Sequence, residues 1–181
     1  MDLRGWDKRY RLQIETGPPT PLVTEIAEGL KPGKALDLAC GGGRNALWLA
    51  DQGWTVTAVD GSRAAIRLIT ARNPKIDARV ANLEKHEYSI EPDSCDLIAI
   101  CYYLQRDLFE PAKRGVVPGG VVIAIVHIPG HGEGLTPFRL APGELAAYFR
   151  DFEILHSYEG PPSDPVHHHR VAQIAARRPI S

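Results

Sequence analysis

The sequence has no apolar segment long enough to span a membrane, since its longest uninterrupted aliphatic run is VVIAIV at 121–126. A membrane-spanning helix needs roughly 20 apolar residues. Residues 1–9 carry charges along their length and lack the apolar stretch and small-residue cleavage site of a secretory signal. These absences predict a cytoplasmic protein that has no membrane partner.

The sequence also contains few cysteines and carries almost no net charge. The three cysteines, Cys40, Cys95 and Cys101, form no CxxC pair, which is typical of a protein from a reducing compartment. The 21 basic and 22 acidic side chains nearly cancel, whereas proteins that bind nucleic acids non-specifically carry a basic excess. We therefore expect no nucleic-acid partner.

The length of 181 residues suits a single domain, and no linker, repeat or low-complexity tract divides it. Short apolar runs alternate with segments of helical period, which predicts alternating strands and helices. The predicted strands are 34–39, 54–59, 76–81, 96–101, 121–127, 152–159 and 166–177, and the predicted helices include 44–52 and 63–72. The last two strands have no helix between them and must pair antiparallel. We expect a doubly wound α/β sheet that ends in an antiparallel hairpin.

Three consecutive glycines follow the first predicted strand. Glycines 41–43 would let the backbone approach a ligand closely, while free amides at the start of the next helix face an anionic group. Asp60 ends the second predicted strand, where a carboxylate can accept two hydrogen bonds from a ribose diol. Because ligands of doubly wound sheets bind beyond the carboxyl ends of the strands, this pair predicts a nucleoside-type cofactor.

Two cofactors fit this pattern. Gly41, Gly43 and Ala46 satisfy the dinucleotide fingerprint G-x-G-x-x-G/A, which keeps an NAD-dependent oxidoreductase as an alternative. Asp37 lies inside the first strand, however, where a carboxylate suits an ammonium group and repels dinucleotide phosphates. Arg44 follows the turn and could pair with a free carboxylate. An ammonium, a carboxylate and a ribose together describe S-adenosylmethionine, held by an enzyme or by a non-catalytic binding protein.

Further segments extend the pattern: LDLACGGGRNA at 36–46, VD at 59–60, VANL at 80–83, CDLI at 95–98 and PGG at 118–120. Together they resemble the class I S-adenosylmethionine-dependent methyltransferases. YLQR at 103–106, PGEL at 142–145 and ILH at 154–156 are similar to the small tellurite-resistance-type branch. The resemblance implies a Rossmann-like core over 34–178, with strand order 3-2-1-4-5-7-6 and strand 7 antiparallel. It also suggests a soft or anionic acceptor, such as a thiol or a metalloid oxyanion, that receives the methyl group in line. Because the sequence has no added recognition domain, we expect a small-molecule acceptor and no obligate protein partner.

The resemblance implies roles for individual residues. Asp60 would hold the ribose hydroxyls, and Asn82 with Leu83 would face the adenine. Ala39 stands where the family more often has glycine, and Asn82 replaces a common aspartate. The cofactor-binding residues implied are, in chain order, Asp37, Ala39, Gly41, Gly43, Arg44, Asp60, Gly61, Ser62, Asn82, Leu83 and the backbone of Cys101.

Methyl transfer depends on holding two reactants aligned, so no nucleophilic side chain is required. An anionic acceptor needs only alignment, whereas a hydroxyl or a protonated amine needs a base within hydrogen-bond reach. The candidate residues follow the fourth and fifth strands and are Tyr102, Tyr103, Arg106, His127 and His131. We predict catalytic roles for His127, Tyr102 and Arg106. The alternatives are that His127 merely ends a strand and that Arg106 caps a surface helix.

Two outlying groups complete the prediction. Trp6 and Tyr10 are four residues apart and would share one face of a helix, which predicts a cofactor-covering lid within residues 1–30. The alternative is a hydrophobic patch that docks the terminus. Histidines 167–169 do not predict a metal site, because in a strand only His167 and His169 share a face and no third ligand has recognisable spacing.

Overall fold

A computed structural model describes residues 3–12, 17–130, 132–134, 136 and 138–180. Two short 3-10 turns, Leu83–Lys85 and Arg106–Leu108, lie between the regular elements. The helices are α1 (Leu3–Leu12), α2 (Pro21–Glu28), α3 (Arg44–Asp51), α4 (Arg63–Arg72), α5 (Phe109–Gly115) and α6 (Glu144–Tyr148). The strands are β1 (Lys34–Leu38), β2 (Thr55–Asp60), β3 (Asp77–Val80), β4 (Cys95–Cys101), β5 (Val116–His127), β6 (Glu153–Gly160) and β7 (Val171–Arg177).

In the described part of the chain, seven strands form one sheet in the order β3-β2-β1-β4-β5-β7-β6. β1 and β3 pair in parallel with β2, and β4 pairs in parallel with β5. β7 runs antiparallel to both β5 and β6. The predicted strand order and the antiparallel hairpin at the end of the chain are therefore confirmed.

The chain folds into two compact units, Met1–Ser89 and Ile90–Ser181. The first, the amino-terminal unit, contains α1 to β3, and the second, the carboxyl-terminal unit, contains β4 to β7. No helix within the described ranges is both long enough and apolar enough to cross a membrane. The expectation of one domain over residues 1–181 stays a prediction.

The amino-terminal unit has a core of small and branched side chains. β1 buries four of its five residues, and α3 and α4 contribute Leu49 and Ile69, both fully buried. α4 has the predicted bounds because Ser62 precedes it as an amino-terminal cap, its Oγ accepting a hydrogen bond from the Ala65 amide at 3.2 Å. α1 packs against α4.

The carboxyl-terminal unit departs from the predicted bounds at two strands. β5 begins at Val116 instead of Val121, because Val116 already pairs with Cys95 before the register shifts ahead of Leu97. β7 begins at Val171 instead of Val166, since Asp164 forms a turn in which its Oδ1 accepts a hydrogen bond from the Val166 amide at 3.0 Å. Histidines 167–169 therefore lie in an irregular segment and not in a strand.

Candidate functional site

The glycine turn and Asp60 lie together at the carboxyl ends of β1 and β2. The Gly41 amide donates a hydrogen bond to Asp60 Oδ2 at 2.9 Å, and the Ser62 amide donates to Oδ1 at 2.8 Å. Burial raises the pKa of the Asp60 carboxyl group, although these two backbone hydrogen bonds oppose the shift. Asp60 thus connects the glycine turn to the segment that starts α4.

Asp37 is buried inside β1, with only 2% of its surface exposed. Its Oδ2 has no hydrogen-bond partner within the described residues. Burial raises its pKa to about 7, the nearby Asp60 charge adds to the shift, and an amide hydrogen bond from Ala46 opposes it. Because an orphaned buried carboxylate is costly, an ammonium group beside Asp37 would stabilise it. This site therefore fits the amino-acid end of S-adenosylmethionine.

Two glycines of the turn have left-handed backbone conformations, which residues with a side chain rarely adopt. Gly41 and Gly43 have φ angles of 53° and 84°. A Cβ atom at Gly41 would overlap the Tyr10 hydroxyl group, and one at Gly43 would overlap Ile69 of α4. Ala39 adopts the same left-handed region at φ 53°, although it carries a side chain. The position at which the family more often has glycine is thus strained here.

α1 carries the predicted aromatic pair. The Trp6 and Tyr10 rings stack with their centroids 6.0 Å apart, and Tyr10 lies against Gly41. Burial raises the pKa of the Tyr10 hydroxyl group to about 12, and the Asp60 charge adds to this effect. The predicted shared helical face is confirmed, whereas the role of the pair as a cofactor lid stays a prediction.

Two further predicted cofactor residues, Asn82 and Arg44, form hydrogen bonds within the protein. Asn82 Oδ1 accepts a hydrogen bond from the Glu84 amide at 3.0 Å and caps the following 3-10 turn, in which Leu83 is buried. Arg44 Nη1 donates to the Pro18 carbonyl oxygen at 3.3 Å. The predicted contacts of these side chains with a cofactor stay predictions.

The carboxyl-terminal unit brings a tyrosine and three histidines together. The ring of Tyr102, directly after β4, stacks on His167 with centroids 3.4 Å apart and an angle of 8° between the rings. The ring of His127, at the end of β5, lies 5.7 Å from Tyr102 and from His167, and 5.9 Å from His169. We call Tyr102, His127, His167 and His169 the imidazole cluster. Tyr102 has φ 60°, a conformation that is unusual for a large side chain.

His127 is half-buried in this cluster, and its Nδ1 has no hydrogen-bond partner within the described ranges. Burial lowers the pKa of its imidazole, and the proximity of His169 lowers it further. The ring is therefore neutral at pH 7 and has a nitrogen able to accept a proton. In the part of the chain that the structure describes, no His, Cys, Asp and Glu side chains group as a metal site.

The Arg106 side chain is held by contacts with neighbouring surface residues. Its Nε and Nη2 pair with the two carboxylate oxygens of Glu144 at 2.6 and 3.2 Å, and Nη2 also reaches the Arg139 carbonyl oxygen at 3.4 Å. These contacts support the alternative in which Arg106 is structural. Tyr103 is buried and its hydroxyl group donates to Gln105 at 2.8 Å, while His131 lies outside the described residues.

Comparison with known proteins identifies the family. Residues 6–163 match the family described as "Tellurite resistance protein TehB". The chain belongs to the TehB family. Tellurite resistance protein TehB from Haemophilus influenzae has a similar structure, with a TM-score of 0.74 and 24% sequence identity over 96% of this chain and 65% of that chain.

Two other proteins are also similar to this chain. An S-adenosylmethionine-dependent methyltransferase from Methanosarcina mazei has a TM-score of 0.72 at 17% identity over 91% of this chain and all of that chain. Hemagglutinin 1 from Eikenella corrodens is 26% identical in an alignment 150 residues long, and the match covers 74% of this chain and 48% of that protein. The chain thus spans about half the length of this curated relative and about two thirds of the H. influenzae protein.

The TehB family chain therefore has the fold of the class I methyltransferases, as the sequence predicts. Two of the proteins that share this fold are described as S-adenosylmethionine-dependent methyltransferases. Sequence reasoning missed Asp7, which contacts Ser62 and Ala64, and the part that His167 and His169 take in the imidazole cluster.

Proposed function

We propose that this protein transfers a methyl group from S-adenosylmethionine to a small nucleophilic acceptor, such as a thiol or a metalloid oxyanion. The observation that carries the proposal is Asp37, a buried carboxylate beside the glycine turn whose Oδ2 has no hydrogen-bond partner in the described part of the chain. A cationic amino group would compensate this charge, whereas the phosphates of a dinucleotide would be repelled by it.

The amino-terminal unit supplies most of the proposed cofactor contacts. Asp37 would bind the amino group, and Asp60 would accept hydrogen bonds from the ribose, since a carboxylate has about four lone-pair sites and two backbone amides use only part of them. Asn82 and Leu83 would line the adenine, and Trp6 with Tyr10 would cover the site. Further proposed contacts are Ala39, Gly41, Gly43, Arg44, Gly61, Ser62 and, in the other unit, Cys101.

The carboxyl-terminal unit carries the proposed acceptor residues. When bound, S-adenosylmethionine supplies an electrophilic methyl group, which the acceptor's lone pair takes as the carbon–sulfur bond breaks and its electrons stay on sulfur. His127 would take the proton of a neutral acceptor, because its imidazole is neutral and Nδ1 is buried without a partner within the described ranges. Tyr102 would line the acceptor site beside it. Arg106 stays a candidate for attracting an anionic acceptor.

Three observations support the acceptor class and the proposed compartment. The name of the family refers to tellurite resistance, which suggests a soft or anionic nucleophile. The nearly balanced charges of the chain favour a compact acceptor over a nucleic acid. Cys40, Cys95 and Cys101 form no disulfide bond with one another, which supports action in the cytoplasm. The proposal includes no membrane partner and no obligate protein partner.

The test is the formation of S-adenosylhomocysteine, measured by mass spectrometry, when the protein is incubated with S-adenosylmethionine and either tellurite, selenite, a low-molecular-weight thiol or an amine. We expect product with at least one of the first three. His127→Gln should slow transfer to a protonated thiol by roughly 100-fold and transfer to an oxyanion much less, because only the thiol needs a base. Absence of product with every acceptor would contradict the proposal.

A further inference from the structure

Asp7 belongs to α1, but its carboxylate binds the amino end of α4. Oδ1 accepts hydrogen bonds from the Ser62 hydroxyl group and from the Ala64 amide, both at 2.9 Å. Oδ2 pairs with Arg11, one turn further along α1, at 2.8 Å. The Ala64 amide, followed by the Ser62 hydroxyl group, lowers the pKa of Asp7, so its carboxylate is charged at neutral pH. An anion at this end of α4 is favourable because the helix dipole is positive there.

Ser62 connects this contact to the candidate cofactor site. Its amide donates to Asp60 Oδ1 at 2.8 Å, and Asp60 Oδ2 accepts from the Gly41 amide at 2.9 Å. Tyr10 follows Asp7 by three residues and lies against Gly41. A continuous series of contacts therefore connects α1 to Ser62, Asp60 and the glycine turn, and Tyr10 connects that turn back to α1.

We propose that Asp7 is a positioning residue for the cofactor: by binding the amino end of α4, it holds the Trp6–Tyr10 face of α1 over the glycine turn. An isolated helix of 10 residues is marginal in water, so α1 depends on its contacts with the rest of the unit. The Asp7 carboxylate binds next to the Asp60 segment and so fixes α1 close to the proposed ribose site. This inference rests on the proposed function, in which Trp6 and Tyr10 cover the cofactor.

Asp7→Ala tests this role in the full-length protein, with S-adenosylhomocysteine as the ligand and calorimetry as the measurement. We expect the dissociation constant to rise by about fivefold, a typical coupling between two sites. Asp7→Asn should restore most of the affinity, because an amide oxygen can still accept the two hydrogen bonds that Oδ1 accepts. Asp51→Ala, which removes an exposed carboxylate from the last turn of α3, is the matched control and should bind like the wild type.

A positioning role and a purely structural role for Asp7 predict different results. If Asp7 acts by placing Tyr10, the effects of Asp7→Ala and Tyr10→Ala on affinity should be less than additive in the double variant. Hydrogen exchange at residues 3–12 should also be slowed by ligand in the wild type and much less in Asp7→Ala. Lower stability with unchanged affinity would assign Asp7 to helix packing alone and overturn the inference.

The remaining outcomes are also decisive. Tighter binding by Asp7→Ala would show that α1 competes with the ligand, which contradicts the proposed positioning. Full additivity of the two substitutions would overturn it as well. Failure of the wild-type protein to bind S-adenosylhomocysteine would overturn the proposed function together with this inference, whereas normal wild-type binding with an unaffected Asp7→Ala variant would overturn only the inference.

Discussion

Replacement of Asp37 by asparagine should remove a pH dependence of cofactor binding that the buried carboxyl group creates. Its pKa of about 7 means that the ligand-free protein holds a proton on Asp37 over most of the acidic range. If the ammonium group of the ligand binds the ionised carboxylate, each binding event below pH 7 must release this proton. The dissociation constant then contains the factor 1 + 10^(pKa − pH), which is about 30 at pH 5.5 and about 2 at pH 7. We therefore expect affinity to rise about fifteenfold between these pH values.

The same group should make the folded protein less stable as pH rises. The pKa of Asp37 is raised from its ordinary value of 3.8, so between about pH 4 and pH 7 the folded chain binds a proton that the unfolded chain has released. The protonated Asp37 side chain gives its full stabilisation below the pKa that it has in the unfolded chain. This stabilisation is lost as pH rises through the pKa that it has in the folded chain. The loss is about 1.4 kcal/mol per pH unit and about 4 kcal/mol over the window. Asp37→Asn should lack this slope in urea denaturation.

Calorimetric titration with S-adenosylhomocysteine measures the binding effect. Titrations at pH 5.5 to 7 keep the ligand's amino group charged, since α-amino groups titrate near pH 8. Buffers with different ionisation enthalpies would report the released proton directly. Asp51→Asn is the control because that side chain is exposed at the end of α3. A wild-type dissociation constant that does not change with pH, or an Asp37→Asn variant with the wild-type slope, would refute the reasoning.

Two further predictions concern residues that sequence reasoning singled out. Ala39→Gly should raise the free energy of unfolding by about 0.5–1 kcal/mol, because φ 53° strains a residue that has a Cβ atom. The greater freedom of glycine in the unfolded chain offsets only part of this gain. Chemical denaturation measures the change, and a loss of stability would contradict the strain at Ala39. Arg106→Gln and Glu144→Gln should each cost at most about 1 kcal/mol, because their ion pair is solvent-accessible. If Arg106 attracts an anionic acceptor, only Arg106→Gln should slow S-adenosylhomocysteine formation with tellurite, and equal slowing in both variants would assign Arg106 to a structural role.

Local patterns carry the parts of the fold that sequence reasoning predicts well. The bounds of α4 follow from the Ser62 cap and the apolar period behind it, both of which lie within a few residues. The proximity of Gly41 and Asp60 follows from the parallel pairing of β1 with β2, which brings the ends of the two strands together. The start of β7 was wrong because the amides of Val166 and His167 both donate hydrogen bonds to Asp164, which extends the turn past the predicted start of the strand. The polar run HHHR at 167–170 is the signal that could have moved that boundary.

The contacts that sequence reasoning missed join residues far apart in the chain. Asp7 contacts Ser62 and Ala64 across more than 50 residues, and no spacing rule relates such positions. His167 stacks on Tyr102 from the irregular segment that follows the turn at Asp164, whereas the predicted strand placed this histidine in β7. Glycine turns and strand-end carboxylates impose short-range backbone requirements that leave a sequence pattern, whereas an acceptor site made of side chains from separate loops leaves none. Sequence patterns in a chain of this fold thus indicate the proposed cofactor site more readily than the proposed acceptor site.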